Sequence, residues 1–132
     1  MRDEQRKEKI YKYSMKKYSE LIQGLENYTK EEIIQCIKPY LDELESESDG
    51  DFTVKNITII GSRTRGTARK DSDLDVLVEY EGRMREDDAF NALHDNPIYI
   101  EDIKVDINPI RKEESGTTEE WLRKSNRYLA TL

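Results

Sequence analysis

Three aspartates and one glycine–serine step are the residues of this sequence whose types and spacing could do chemistry together. Asp73 and Asp75 flank Leu74 in a stretch that reads as a β-strand. Strand side chains alternate between faces, so the two carboxylates share one face while Leu74, Val76 and Val78 take the other, into a core. Asp106 stands between Val105 and Ile107 and repeats the arrangement in a later strand. Three acids converging at one edge of a sheet would repel each other and bind protons more tightly, a cost that a divalent cation removes. Hard oxygen donors with no cysteine or useful histidine among them select Mg²⁺ or Mn²⁺ over Zn²⁺, and Mg²⁺ takes a few carboxylates together with substrate phosphates. Such a site suits in-line transfer of a phosphoryl or nucleotidyl group. One ion neutralises a triphosphate, and a second, with Asp106, activates the attacking hydroxyl.

That chemistry also needs a grip on the departing pyrophosphate, and Gly61-Ser62-Arg63-Thr64-Arg65-Gly66 has the composition of one. A glycine lets backbone approach phosphate closely, Ser62 offers a hydroxyl and an amide, and a helix starting there would aim N–H groups at the anion. Arg63, Arg65 and Arg69 add local positive charge to an otherwise acidic chain. Arg63 and Arg65 each have a second reading, as a surface charge or as an ion-pair partner of the acids. An Asp-x-Asp pair alone is usually a solvated strand edge; the glycine–serine step and the third acid between apolar neighbours set this one apart.

Gly61-Ser62, ten residues, then Asp73-x-Asp75 resembles the signature of the DNA polymerase beta-type nucleotidyltransferase superfamily, and most nearly its minimal nucleotidyltransferase branch. The resemblance runs from about Phe52 to Ile110 and includes Val105-Asp106-Ile107, where that family keeps a third acid. It implies that Ser62 contacts the β- and γ-phosphates, that Asp73 and Asp75 ligate the metals, and that Asp106 completes the metal site or acts as base. The implied reaction moves a nucleoside monophosphate, commonly AMP from ATP, to a hydroxyl with release of pyrophosphate. Many minimal members resemble antitoxins that silence a small helical HEPN-type toxin by adenylylating a tyrosine; others modify small molecules such as aminoglycosides. A binding module that masks its partner without catalysis is a third reading.

These residues must be positioned by surrounding elements. Phe52 to Ile60 is rich in β-branched residues and reads as a strand pointing at Gly61; Leu74 to Tyr80 reads as a second. Asp87 to His94 forms a short helix, and the alternating Ile98, Ile100, Ile103, Val105 and Ile107 read as strand, turning at Glu101-Asp102 and stopped by Pro109. Upstream, Tyr11, Met15, Tyr18, Ile22 and Leu25 recur at helical spacing, which predicts a first helix from about Asp3 to Gln23. Thr29 with Glu32 has the spacing of a capping box that opens a second helix carrying Ile33, Ile37, Leu41 and Leu44, kinked or split at Pro39. Thr117 with Glu120 opens a last helix through Trp121 and Leu122. The fold class expected is α/β (α+β): a short mixed sheet with helices packed on one face, preceded by two N-terminal helices. Residues 1–50 are then a helical extension, covering one face of the sheet or forming an interface, and residues 51–132 the nucleotidyltransferase core.

Composition sets the outer bounds. A chain of 132 residues suits one domain with an extension and leaves little room for a substrate domain, so an acceptor pocket would be completed by a partner or a second copy. With 29 acidic against 22 basic residues the net charge is −7, which argues against a general nucleic-acid-binding module. Cys36, the one cysteine, excludes an intrachain disulfide and reads as a small buried residue of the second helix. His94, the one histidine, reads as an exposed surface residue, and Tyr11, Tyr18 and Trp121 as core or interface. Met1 to Lys9 is a run rich in charge with no apolar segment after it, so no signal peptide or membrane span is expected and the cytoplasm is the default location.

Overall fold

The computed structural model describes residues 21–131. The expected first helix, with Tyr11 and Tyr18, lies outside them except for its end, and there residues 21–23 are not helical. Ile22 and Leu25 are nevertheless buried in the core. The Gln23 N–H donates to the Arg63 carbonyl at 2.9 Å instead of continuing a helical ladder, and Gly24 turns the chain with φ of +89°. Tertiary bonding overrides the helical stripe at that point.

Helix α1, Lys30–Glu47, starts at the expected capping box: the Glu32 N–H donates to the Thr29 side chain, and the Thr29 N–H to the Glu32 carboxylate. Its stripe of Ile33, Ile37, Leu41 and Leu44 is buried. Two expectations on this helix need correction. Pro39 does not split it; the residue is exposed, as is Gln35, whose carbonyl loses its partner and can be hydrated instead. Cys36 is exposed, because at 100° per residue it falls off the stripe that Ile33 and Ile37 define.

Four strands follow: β1 (Thr53–Ile60), β2 (Leu74–Glu81), β3 (Ile98–Ile100) and β4 (Ile103–Ile110). Helix α2 (Ser62–Arg65) lies after β1, α3 (Glu86–Leu93) between β2 and β3, and α4 (Thr118–Thr131) after β4. The sheet order is β1-β2-β4-β3, with β2 and β4 parallel and the two outer pairs antiparallel, so the sheet is mixed as expected. A parallel neighbour requires a crossover, and α3 supplies it. Leu74, Val76, Val78 and Tyr80 of β2, with Val105 and Ile107 of β4, join the buried stripe of α1 and Ala89 and Leu93 of α3 in one core. Each of the valines, leucines and isoleucines among them contributes roughly 1.5–3 kcal/mol on burial. Glu79, on the other face of β2, accepts from the backbone and hydroxyl of Thr118 and anchors the start of α4, whose capping box pairs Thr117 with Glu120.

The hairpin turns at Glu101-Asp102 as expected, with Glu101 at φ +54°. Pro109, however, does not stop β4, which continues to Ile110. β3 pairs only as far as Val105, so beyond it β4 has β2 alone for a neighbour, and a residue without an N–H fits the open side. Among the described residues no helix is long and apolar enough to cross a membrane.

Candidate active site

The register of the three longer strands brings the chemistry-bearing residues together. Ile60, the last residue of β1, pairs with Asp75, and Asp75 pairs in turn with Asp106 across the parallel β2–β4 ladder. The residue after Ile60 is therefore delivered beside the Asp75 carboxylate. Gly61 adopts φ 88° and ψ −168°, and a Cβ there would stand 2.3 Å from Asp75 Oδ2, so both conformation and space require glycine. The chain then makes the single turn of α2. Thr64 fixes that turn by donating its N–H at 3.1 Å and its hydroxyl at 2.6 Å to the Gly61 carbonyl. Ser62, half-buried, opens the turn, and Gly66 closes it in the left-handed conformation.

Electrostatics record the convergence of the acids. Burial pushes the Asp75 carboxyl up from its ordinary value, and the charges of Asp106 and Asp73 and a hydrogen bond to Asp106 push it further; Arg65 opposes them. Asp75 and Asp106 thus meet as side chains, while Asp73, in the loop just ahead of β2, acts on Asp75 through charge. Arg65 is exposed and close enough to act on that carboxylate. Among the described residues, no three His, Cys, Asp or Glu side chains form a ready-made cage for an ion. Two touching carboxylates and a third nearby still fit a hard cation, because Mg²⁺ binds through one or two carboxylates and completes its shell with phosphate and water. They do not resemble the closed, all-protein set of a structural zinc.

Arg63 departs from the expectation that it faces a nucleotide. It is 4% exposed, and its guanidinium donates to backbone carbonyls: Nη2 and Nε to Ser72 at 2.6 and 3.0 Å, Nη1 to Gln23 at 2.8 Å. Gln23 secures the same loop from the other side, exchanging two hydrogen bonds with the Ala68 backbone at 2.8 and 3.0 Å. Together they pin the loop that joins Gly61-Ser62 to Asp73. Room for the arginine exists because Gly24 lacks a side chain; a Cβ there would lie 2.6 Å from Arg63 Nη1. Nothing in the spacing of residues 23, 24 and 63 signals this contact, which forms across forty positions.

His94 also differs from its expected exposed role. It caps α3, its Nε2 lies 2.9 Å from Asp106 Oδ1, and its ring stacks on Phe90 at 3.9 Å between centroids. Beside Asp75 a cavity of about 560 Å³ opens between the sheet and α4, lined by Gly61, Arg65, Asn108 and Trp121 among others. Its size lies within the range of small-molecule sites, about 300–1,000 Å³. Trp121, half-buried, forms part of its wall.

Residues 34–128 match the family model described as nucleotidyltransferase domain. No curated protein and no solved structure matches the chain. The matched span covers most of α1, the whole sheet and most of α4, and the chain belongs to this family.

Proposed function

We propose that this member of the nucleotidyltransferase domain family transfers a nucleoside monophosphate, AMP from ATP, to a hydroxyl acceptor and releases pyrophosphate. The observation that carries the reading is the position of the Asp75 carboxylate, pressed against Gly61 on one side and meeting Asp106 on the other. A phosphate grip and an acid pair at one point are what in-line transfer requires.

In this reading Asp73, Asp75 and Asp106 hold Mg²⁺ or Mn²⁺. The cation, when bound, neutralises the triphosphate and stabilises charge on the entering and leaving oxygens. Ser62 and the backbone after Gly61 hold the β- and γ-phosphates, and Arg65 adds positive charge from the rim. The acceptor oxygen attacks the α-phosphorus and forms the new O–P bond while its proton passes to Asp106. The bond from the α-phosphorus to the bridging oxygen breaks, and pyrophosphate leaves with that electron pair.

The acceptor we favour is a tyrosine of a small helical HEPN-type partner, which would make the chain an antitoxin of the cytoplasm. What favours a protein acceptor is the resemblance of Gly61-Ser62 and Asp73-x-Asp75 to the minimal nucleotidyltransferase signature. Incubation with α-labelled ATP, Mg²⁺ and candidate partner is expected to label the partner. Asp73→Asn with Asp75→Asn should abolish the label, and labelling that survives both changes rejects the enzyme. Co-purification insensitive to those changes, without nucleotide turnover, would support the masking alternative; turnover on aminoglycoside-like hydroxyls without a protein acceptor would support the small-molecule one.

A further inference from the structure

We propose that His94 is a positioning residue: its imidazole fixes the rotamer of Asp106, so that one carboxylate oxygen is held by the protein and the other is presented to the cation. The proposal rests on the reading of Asp106 as a metal-holding carboxylate.

The argument begins with how firmly His94 is itself held. It caps α3, where its backbone N–H donates to the Phe90 carbonyl at 3.0 Å. The same carbonyl lies 2.8 Å from Nδ1, which ties that edge of the ring to the end of α3. The Phe90 ring stacks on the imidazole with 22° between planes and closes off its rotation. α3 is in turn anchored by Ala89 and Leu93, which are 0% and 7% exposed in the core. Backbone, side chain and packing therefore leave Nε2 one place to point, and that place is Asp106 Oδ1 at 2.9 Å.

An aspartate with one oxygen so held loses most of its freedom about χ1 and χ2. Asp106 needs such a restraint more than a core residue would, because it is half-buried with the Asp75 carboxylate beside it, and repulsion would otherwise turn it toward water. Outer partners that orient a ligating carboxylate are worth roughly tenfold to a hundredfold in metal affinity or activity. The functional weight of His94 lies in that orientation, since its ring is occupied at both nitrogens.

The test compares wild type, His94→Ala, His94→Gln and Asp106→Asn by Mn²⁺ titration monitored by electron paramagnetic resonance, with and without a non-hydrolysable ATP analogue, and by steady-state turnover. His94→Ala is expected to weaken Mn²⁺ binding and lower kcat about tenfold or more while KM for ATP moves less than threefold. His94→Gln, whose amide nitrogen can reach the same oxygen, should recover most of the loss. An unchanged melting temperature in His94→Gln separates orientation from folding. His94→Ala within twofold of wild type in both Mn²⁺ affinity and kcat overturns the proposal, as does a folded His94→Gln no better than alanine. Mn²⁺ binding unaffected by Asp106→Asn would instead overturn the reading of the site on which the proposal stands.

Discussion

Asp75 carries a cost in the folded protein that the proposed reaction would put to use. Its carboxyl is pushed above the ordinary 3.8 by burial and by its acidic neighbours, so between that value and its raised folded value the native state binds more protons than the unfolded chain. Its contribution to stability is therefore full below the ordinary value and is lost as pH rises through the folded one. Asp75→Asn should be more stable than wild type at neutral pH, and the difference should vanish on acidification. Glu79 has the opposite sign, because hydrogen bonds from Thr118 hold it below its ordinary range and its contribution is lost as pH falls. The difference between variant and wild-type melts across pH isolates Asp75, and an Asp75→Asn variant less stable than wild type at pH 7 would contradict the electrostatic account. Mg²⁺ should raise the melting temperature of wild type and leave that of the variant nearly unmoved; at a hundredfold excess over Kd the gain is about 2.7 kcal/mol. Gly61→Ala tests the same contact sterically. With φ of +88° and Asp75 Oδ2 only 2.3 Å from the new methyl, turnover should fall by more than about tenfold, while strain costs on the order of 1–3 kcal/mol in denaturant unfolding.

At the scale of elements, the loop between Gly61-Ser62 and Asp73 behaves as a built part. Arg63 buries a charge and spends its donors on backbone carbonyls. Charge-assisted bonds of this kind are worth about 1.5–3 kcal/mol each, so Arg63→Ala should cost about 3 kcal/mol or more by urea unfolding, and lysine should not restore it. Pro39 offers the opposite case. A proline inside a helix costs about 3 kcal/mol relative to alanine, and at this exposed position nothing compensates except water. Pro39→Ala should raise the urea midpoint with an unchanged m-value. The same helix shows what a sequence can and cannot announce. Its capping box and buried stripe are local patterns and were legible; that the helix runs on past Pro39, with Gln35 and Pro39 both exposed, is something no pattern encodes. β4 repeats the lesson, since Pro109 is tolerated only because the neighbouring strand β3 is too short to reach it.

For the molecule as a whole, the legible part of the site was the part written as spacing. Gly61-Ser62 and Asp73-x-Asp75 lie close in the chain, and alternation along a strand places Asp106 on a face without knowledge of the partner strand. The contacts of Gln23 with Ala68, Arg63 with Gln23, and His94 with Asp106 arise only once α3 crosses the sheet and the segment before α1 folds back. No local signal marks them. That segment and α1 also bear on how the chain holds together. Ile22, Leu25, Ile33, Ile37 and Leu41 are each no more than 1% exposed, and at roughly 1.5–3 kcal/mol apiece their burial rivals the whole stability of an ordinary domain, about 5–15 kcal/mol. Deleting residues 1–50 is expected to abolish cooperative thermal unfolding; a sharp melt from the remaining fragment would show that segment to be dispensable.

The central claim is that one cation and one polyphosphate share the space between Gly61 and the two touching carboxylates. A crystal grown with Mn²⁺ and a non-hydrolysable ATP analogue tests it most directly through the anomalous signal of the metal. The account predicts a manganese peak bridging Asp75 and Asp106, with the β- and γ-phosphates against Ser62. Manganese bound elsewhere, or a triphosphate whose chain avoids the turn after β1, would contradict it.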